Sequence, residues 1–268
     1  MLQLKLNKLD IEFIKLWSEY IVTRDSNEIM DRLQDLAKKG QLNAIQSWYS
    51  FKKKGDCEEI DNIVKSLEGN TYEELWTLGN YEGSTDEARD SLNKLYKRRN
   101  ELIDTINYRN ETETYTRSTG RFLTTHYPDT SKEEAEKETI ETSIENVPCI
   151  NYWLRGAGKV LQYAKDMQNP YLAQRAGEMY NSLAQLLPHR NQKLGKTLKQ
   201  KALRYFTKTY KKMQKTEEGK DVNANLQFYY HFARSILTSE TKKTLRPLAI
   251  DILKEICNYD KLEKEALE

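Results

Sequence analysis

Hydrophobic residues recur at helical spacing through much of the chain, and the pattern is clearest between residues 27 and 55. Two apolar stripes follow the three- and four-residue spacing of an amphipathic helix, and Gly40 separates them. Gly40 and Gly55 can adopt the left-handed conformation that closes a helix. Helices this short are marginal alone in water, so each needs a neighbour. The segment therefore predicts a pair of antiparallel helices. The two stripes are Ile29, Met30, Leu33, Leu36 and Ala37, then Ala44, Ile45, Trp48, Tyr49 and Phe51.

The same spacing predicts helices along most of the remaining chain. Gly69 and Gly79 are expected to end two of them, and Pro247 either starts the last helix near Arg246 or kinks it. The fold class predicted is all-α, built from antiparallel helix pairs in a solenoid or repeat-like superhelix. The further predicted helices cover 2–21, 60–67, 72–78, 86–109, 131–145, 149–167, 170–187, 190–215, 222–237 and 241–259.

Residues 110–130 interrupt this pattern. The segment is rich in threonine and other polar residues, and Gly120 and Pro128 break it. We interpret it as a linker that holds one short turn of helix. The chain is thereby divided into N-terminal helical repeats at 1–109, the linker, and a C-terminal repeat-like domain at 131–268.

Small and aromatic residues in the first helix pair carry a resemblance to a known repeat. Their spacing resembles the Sel1-like repeat, a relative of the tetratricopeptide repeat, which typically shows alanine, glycine, alanine, a large apolar residue, an aromatic residue and a closing glycine. Partial matches recur at 69–88 and 169–180, although Glu73 replaces an alanine of the second unit. Ordinary helix packing with glycine stops is the alternative, and it also predicts antiparallel pairs. The residues of the first match are Ala37, Gly40, Ala44, Trp48, Phe51 and Gly55.

The resemblance implies a function in protein binding. Such repeats act as non-enzymatic adaptors or regulators that bind a protein partner through a concave surface. Rigid aromatic side chains are suited to anchor a partner there, although core packing accounts for them equally well. The resemblance implies neither catalytic residues, nor a metal, nor another cofactor. The candidate protein-binding residues are Trp48, Tyr49, Trp76, Tyr81 and Tyr180.

Composition narrows the class of protein further. Charged residues make up 31% of the chain and apolar residues 38%, which is typical of a helix-rich soluble protein. No apolar run approaches the roughly 20 residues of a membrane span, and the N-terminus lacks the apolar core of a signal peptide. Cys57, Cys149 and Cys257 lie far apart, which favours a reduced, cytoplasmic compartment. The partner and the oligomeric state stay open.

A basic segment supplies an alternative function. Residues 190–215 hold ten lysines and arginines and no acid, although the whole chain carries a net charge of only +2. A lysine strip with interleaved aromatics can neutralise nucleic-acid phosphates. The same strip could instead meet the acidic segment 129–145, which has seven acids against two lysines. The candidate nucleic-acid-binding residues are Lys199, Lys201, Arg204, Lys208, Lys211 and Lys212.

Arg121 and His126 form a second, less favoured alternative. Four residues separate them, which resembles the arginine–histidine motif of the HEPN ribonucleases, an all-helical family. The resemblance implies that His126 would transfer protons and that Arg121 would stabilise phosphate charge. Phe122 departs from the polar residue that usually follows the arginine. The three histidines show no metal-ligand spacing, so no metal site is predicted.

Overall fold

The computed structural model describes residues 6–25, 27–120, 122–239 and 243–258. Over these residues the chain forms thirteen α-helices and a single β-hairpin, which confirms the predicted all-α class. The helices are α1 (Lys8–Thr23), α2 (Asn27–Lys38), α3 (Leu42–Phe51), α4 (Glu58–Lys65), α5 (Tyr72–Gly83), α6 (Asp86–Glu113), α7 (Ser131–Glu145), α8 (Pro148–Asp166), α9 (Pro170–Leu186), α10 (Pro188–Met213), α11 (Glu217–Lys220), α12 (Leu226–Leu237) and α13 (Arg246–Cys257). The strands are β1 (Tyr115–Thr119) and β2 (Phe122–His126).

Local sequence signals determine where several helices begin and end. Asn7 and Asp10 form a reciprocal capping box at α1, and Thr71 and Glu74 form another at α5. Gly40 follows α2 with a φ of +80°, as its predicted role in closing that helix requires. The last helix begins at Arg246, at the position that Pro247 predicts.

Gly79 does not end a helix, contrary to expectation. It lies inside α5, which continues to Gly83. A Cβ atom at Gly79 would come within 2.4 Å of the indole of Trp153 on α8, so the glycine makes room for this ring. Its role is therefore to allow close packing between α5 and α8, and not to break the chain.

The structure also corrects the assignment of residues 110–130. Helix α6 runs on to Glu113, and the predicted linker with its helical turn is instead a β-hairpin. Tyr115 pairs with His126 in an antiparallel register, and Gly120 adopts a φ of +74° between the strands. The threonines that made this stretch look like a linker favour extended backbone, because they branch at Cβ.

Four apolar clusters hold the helices together. One joins α1 to α10, α12 and α13, and a second joins α1 to α2 through α5. A third lies mainly between α8 and α9, and the fourth lies among α6, α7 and α8. Helix α1 packs against α13, so the two ends of the described chain meet. Repeats that contact only their sequence neighbours do not produce that contact, and the solenoid and the two-domain division stay predictions.

Acidic helix α7 packs against α6 and α8. Arg98 on α6 pairs with Glu136 at 2.7 Å, and Arg109 pairs with Glu133 at 2.8 Å. Two acids of α7 therefore pair with arginines of α6. The sequence had also allowed the acidic segment to pair with the basic segment 190–215. None of the helices that the structure describes combines the length and the apolar character that crossing a membrane requires.

Candidate functional site

A half-open cavity of about 470 Å³ lies between the N-terminal helices α1, α3 and α5 and the C-terminal helices α8, α9 and α12. Its volume falls within the range of small-ligand sites, roughly 300–1,000 Å³. Aromatic and aliphatic side chains form about half of the wall, and eight polar or charged side chains form the rest. The main apolar residues are Phe13, Ile14, Tyr72, Tyr163, Tyr171 and Tyr230. The polar and charged residues are Asp10, Gln41, Asn43, Glu73, Arg175, Gln227, His231 and Arg234.

Helices α9 and α12 supply a polar network along one side of this cavity. Gln174 and Glu178 are four residues apart on α9, and Tyr230 and Arg234 are four apart on α12, so each pair lies on one helix face. The guanidinium of Arg234 holds Glu178 with two bonds, from Nε to Oε1 at 2.9 Å and from Nη2 to Oε2 at 2.8 Å. This fork of two parallel bonds fixes α9 against α12.

The Glu178–Arg234 pair is well shielded from solvent. The side chain of Glu178 is 13% exposed and that of Arg234 is 28% exposed. Burial acts against the positive charge of Arg234, but the carboxylate of Glu178 outweighs this effect and raises the pKa of Arg234 above its ordinary value. Arg234 is therefore a charged residue with its partner already in place.

His231 is held in one tautomer by its neighbours. The side-chain Nε2 of Gln174 donates to Glu178 Oε1 at 3.2 Å and to the backbone oxygen of His231 at 3.3 Å. Only Oε1 of Gln174 is left to face His231 Nδ1, at 2.8 Å, so the imidazole donates from Nδ1 and its Nε2 carries no proton. Burial, with help from Arg234 and Arg175, lowers the pKa of His231 to about 3. The ring is therefore neutral near neutral pH.

Arg175 differs from Arg234 because it has no acidic partner. Its Nη2 donates to Oε1 of Gln46 at 2.8 Å, and no acidic side chain in the described part of the chain lies within ion-pair distance. Burial and the charge of Arg234 lower the pKa of Arg175. Burial also raises the pKa of Glu73, a carboxyl of the same cavity. The cavity thus contains a guanidinium whose charge is not neutralised by a paired carboxylate.

Gln46 anchors Arg175 to the N-terminal helices. Its Nε2 donates to Oγ1 of Thr77 at 3.1 Å and to the backbone oxygen of Glu73 at 3.2 Å, both on α5. The two hydrogen bonds from Nε2 orient the side-chain amide of Gln46, so that its Oε1 faces Arg175. Through Gln46, Arg175 on α9 is therefore connected by hydrogen bonds to α5.

Buried polar atoms without partners occur in the same wall. Gln227 is only 5% exposed, and neither its amide nitrogen nor its amide oxygen has a hydrogen-bond partner among the described residues. The hydroxyl of Tyr171 is in the same condition. Leaving such a group unsatisfied costs about 1–3 kcal/mol. These atoms are enclosed within the wall and are not open to the cavity.

The structure shows where the predicted protein-binding aromatics lie. Trp48, Tyr49 and Tyr81 are buried in the cluster of the first five helices, so their rings do not line an exposed surface. Tyr49 donates its hydroxyl to Oδ1 of Asp61 at 2.6 Å, which fixes it in the core. The apolar stripe at helical spacing faced neighbouring helices because helices this short need that burial.

The other two predicted aromatics are partly buried. Trp76 and Tyr180 pack against the cluster between α8 and α9, and Trp76 lies 5.9 Å from the ring of Trp153. All five aromatics therefore contribute to packing, and none belongs to the cavity.

The basic residues of α10 remain on the surface. Lys199 is half-buried, because it packs closely against Gly177 on α9. The others face solvent, and Lys201, Arg204 and Lys208 follow one helix face at three- and four-residue steps. The exposed candidates are Lys201, Arg204, Lys208, Lys211 and Lys212.

One residue of the predicted ribonuclease pair, His126, lies on the hairpin. Arg121 lies outside the described residues, and His126 is exposed on β2, where its ring stacks on Tyr115 at 4.8 Å. The HEPN resemblance implies a helical setting for both residues, and the structure places His126 on a strand instead.

A second surface feature is the arm, which we define as residues 107–130, the hairpin with the end of α6 and the connection to α7. Four large apolar side chains of the arm are exposed: Tyr108 by 66%, Tyr115 by 59%, Leu123 by 79% and Tyr127 by 74%. In the described part of the chain, no helix packs extensively against the hairpin. The arm therefore presents apolar surface to the outside.

Sequence reasoning missed the cavity, although a signal was present. Arg175 lies three residues after Leu172 and four before Met179, so it occupies the apolar face of α9. A charged residue inside an apolar stripe indicates a buried polar site. The sequence contains no comparable signal for Gln46 or His231 as its neighbours.

Comparisons with known proteins identify no relative of this chain. No protein-family model matches the chain, and no curated protein and no solved structure matches it. The resemblance to Sel1-like and tetratricopeptide repeats stays a prediction.

Proposed function

We propose that this chain is a non-enzymatic protein-interaction module, an adaptor or regulator, and that it contacts its protein partner through the arm. The exposed apolar side chains of the arm carry this proposal. Large apolar side chains exposed to solvent often mark interaction sites in soluble proteins. Repeat-like stacking of the first hundred residues, as in Sel1-like proteins, would serve as the scaffold, in a reducing, cytoplasmic compartment.

The backbone of the hairpin supports the same proposal. A two-stranded sheet has two open edges, and each edge offers unpaired N–H and C=O groups to an extended segment. An isolated hairpin is also only marginally stable in water. A partner that adds a strand and covers Leu123 and Tyr127 would satisfy the edge and bury the apolar side chains together.

The chemistry of the cavity supports a binding function in preference to catalysis. His231, with a pKa of about 3, does not exchange a proton near neutral pH, so it is poorly matched to acid–base work. Arg234 and Glu178 are occupied with each other. A photo-crosslinking experiment on the full-length chain can test the proposed interface.

We expect a photoreactive residue at position 123 to capture a protein partner in cell lysate, and the same probe at position 205 to capture none. Tyr205 is the matched control, because it is an exposed aromatic on α10. Substituting Leu123→Asp together with Tyr127→Asp should lower capture by at least about tenfold, since anchoring side chains contribute about 2 kcal/mol each. Capture is quantified by gel densitometry. Equal capture at positions 123 and 205 would contradict the proposal.

A second candidate function, nucleic-acid binding, rests on the exposed basic face of α10. Side chains at 201, 204, 208 and 211 project from one face, with no acidic residue on that helix to offset them. Contacts of this kind to phosphates release counterions, so affinity falls steeply with salt.

For this second candidate we expect a mobility shift with single-stranded RNA that weakens as salt rises. Changing Lys201, Arg204, Lys208 and Lys211 to glutamine should reduce the slope of log affinity against log salt by about 0.7 for each lost contact. Glutamine at the exposed positions Lys94 and Lys97 on α6 is the control. Binding that is unchanged in the α10 variant would exclude this face as the contact.

A further inference from the structure

We propose that the cavity binds a small organic monocarboxylate, with the carboxylate on Arg175 and an apolar, flat body against the tyrosine-rich wall. This inference goes beyond the proposed function, because it concerns a site separate from the arm. It rests on two observations: the guanidinium without an acidic partner, and the volume and partly apolar lining of the cavity.

The attraction for an anion comes from direct pairing with Arg175, because the cavity lining as a whole carries no net positive charge. Arg234 and Glu178 neutralise each other, and His231 is uncharged, so Arg175 contributes one positive charge that no paired carboxylate offsets. Asp10 and Glu73 also line the cavity. Their carboxyl groups repel any anion, and they repel a doubly charged phosphate more strongly than a monoanion. A carboxylate is the group that matches the charge.

The geometry of Arg175 fits the same group. A guanidinium has five N–H donors in a planar fork, and Arg175 uses one nitrogen, Nη2, on Gln46. The remaining donors have no acceptor among the described residues. A carboxylate can accept two parallel N–H bonds from such a fork, which gives both strength and orientation.

The rest of the wall indicates what is attached to the carboxylate. Tyr72 and Tyr163 are partly exposed and supply apolar faces, which suit a ring or another flat apolar body. The volume of about 470 Å³ admits a small molecule but not a folded segment of a partner.

The test uses phenylacetate and its uncharged analogue phenylacetamide as probes on the purified full-length chain. Isothermal titration and ligand-observed NMR give the dissociation constants for the wild type, Arg175→Gln and Arg155→Gln. Arg155 is the matched control, because it is an exposed arginine on α8. We expect phenylacetate to bind the wild type and the Arg155→Gln variant equally. Binding should weaken at least about tenfold in Arg175→Gln, as loss of a charge-assisted pair predicts.

Three further results separate the outcomes. Phenylacetamide should bind at least about tenfold more weakly than phenylacetate. Inorganic phosphate should not displace bound phenylacetate. Circular dichroism should show that Arg175→Gln is folded, since this change removes an unpaired charge from the interior. Equal binding of phenylacetate to Arg175→Gln and the wild type, tighter binding of phosphate, or no binding of phenylacetate to the wild type would each overturn the proposal. None of these results depends on whether the arm captures a protein.

Discussion

Substituting Glu178→Leu is expected to lower the free energy of unfolding by about 3–5 kcal/mol, because it leaves the guanidinium of Arg234 buried without its carboxylate. The two side chains share two short bonds between α9 and α12. Solvent can replace the lost partner only in part, since the side chain of Arg234 is 28% exposed. Urea denaturation followed by circular dichroism measures the change.

The double substitution Glu178→Leu with Arg234→Met provides the internal control. Removing both charges should restore most of the lost stability, because a buried pair contributes little net free energy over apolar residues of similar size. Glu136→Leu is the surface control, since its partner Arg98 is half exposed and such pairs contribute about 0–1 kcal/mol. A loss at Glu178 no larger than that at Glu136 would show that Arg234 is not dependent on its partner.

Substituting Gly195→Ala is expected to destabilise the fold by about 1–3 kcal/mol, the usual cost of overpacking a tight contact. A Cβ there would lie 2.9 Å from the backbone nitrogen of Asn181 and 3.1 Å from the backbone oxygen of Gly177. Helices α9 and α10 therefore touch through their backbones at this crossing. A rigid backbone cannot move aside as a flexible side chain can, so the helices must separate.

Gly158→Ala is the matched control for this experiment. Gly158 is exposed on α8, and a Cβ there would meet no atom within 4 Å. Alanine should therefore stabilise the chain by about 0.5–1 kcal/mol through its better helix propensity. Thermal and urea unfolding should thus show changes of opposite sign for two identical substitutions. Changes of the same sign would mean that the α9–α10 crossing is not as tight as the backbone distances indicate.

These two contacts also bear on the cavity. Helix α9 carries Arg175 between Gln174 and Gly177, so a displacement of α9 from α10 or α12 would move the guanidinium away from Gln46. The hydrogen bonds between α9 and α12 and the glycine crossing with α10 therefore position the proposed anion site. Substitutions that loosen the packing of α9 should therefore weaken ligand binding, even when they leave the cavity residues unchanged.

Local sequence was sufficient for the helices and for several of their ends. The apolar periodicity predicted the helical segments, Gly40 predicted the end of α2, and Pro247 predicted the start of α13. These features depend on residues that are close in sequence, through backbone conformation, helix capping and the apolar stripe of each helix. The hairpin at 115–126 was missed, because threonine-rich polar sequence suits an exposed strand as well as a linker.

The sequence did not predict which neighbouring helix each apolar face contacts. Trp48, Tyr49 and Tyr81 carry the same spacing whether they support a core or line a groove, and only the arrangement of the first five helices places them inside. Gly79 likewise looked like a helix stop, since the position of Trp153 on a distant helix cannot be read from the residues around it.

By itself, the sequence determined an all-α chain of short amphipathic helices, because periodicity and capping act locally. Only the tertiary structure decided which polar residues meet. Arg175 and Gln46 are 129 residues apart, and Arg234 and Glu178 are 56 apart. Such contacts form when whole helices pack, and their energy depends on burial that no short stretch of sequence contains. The cavity and its unpaired guanidinium are therefore properties of the fold.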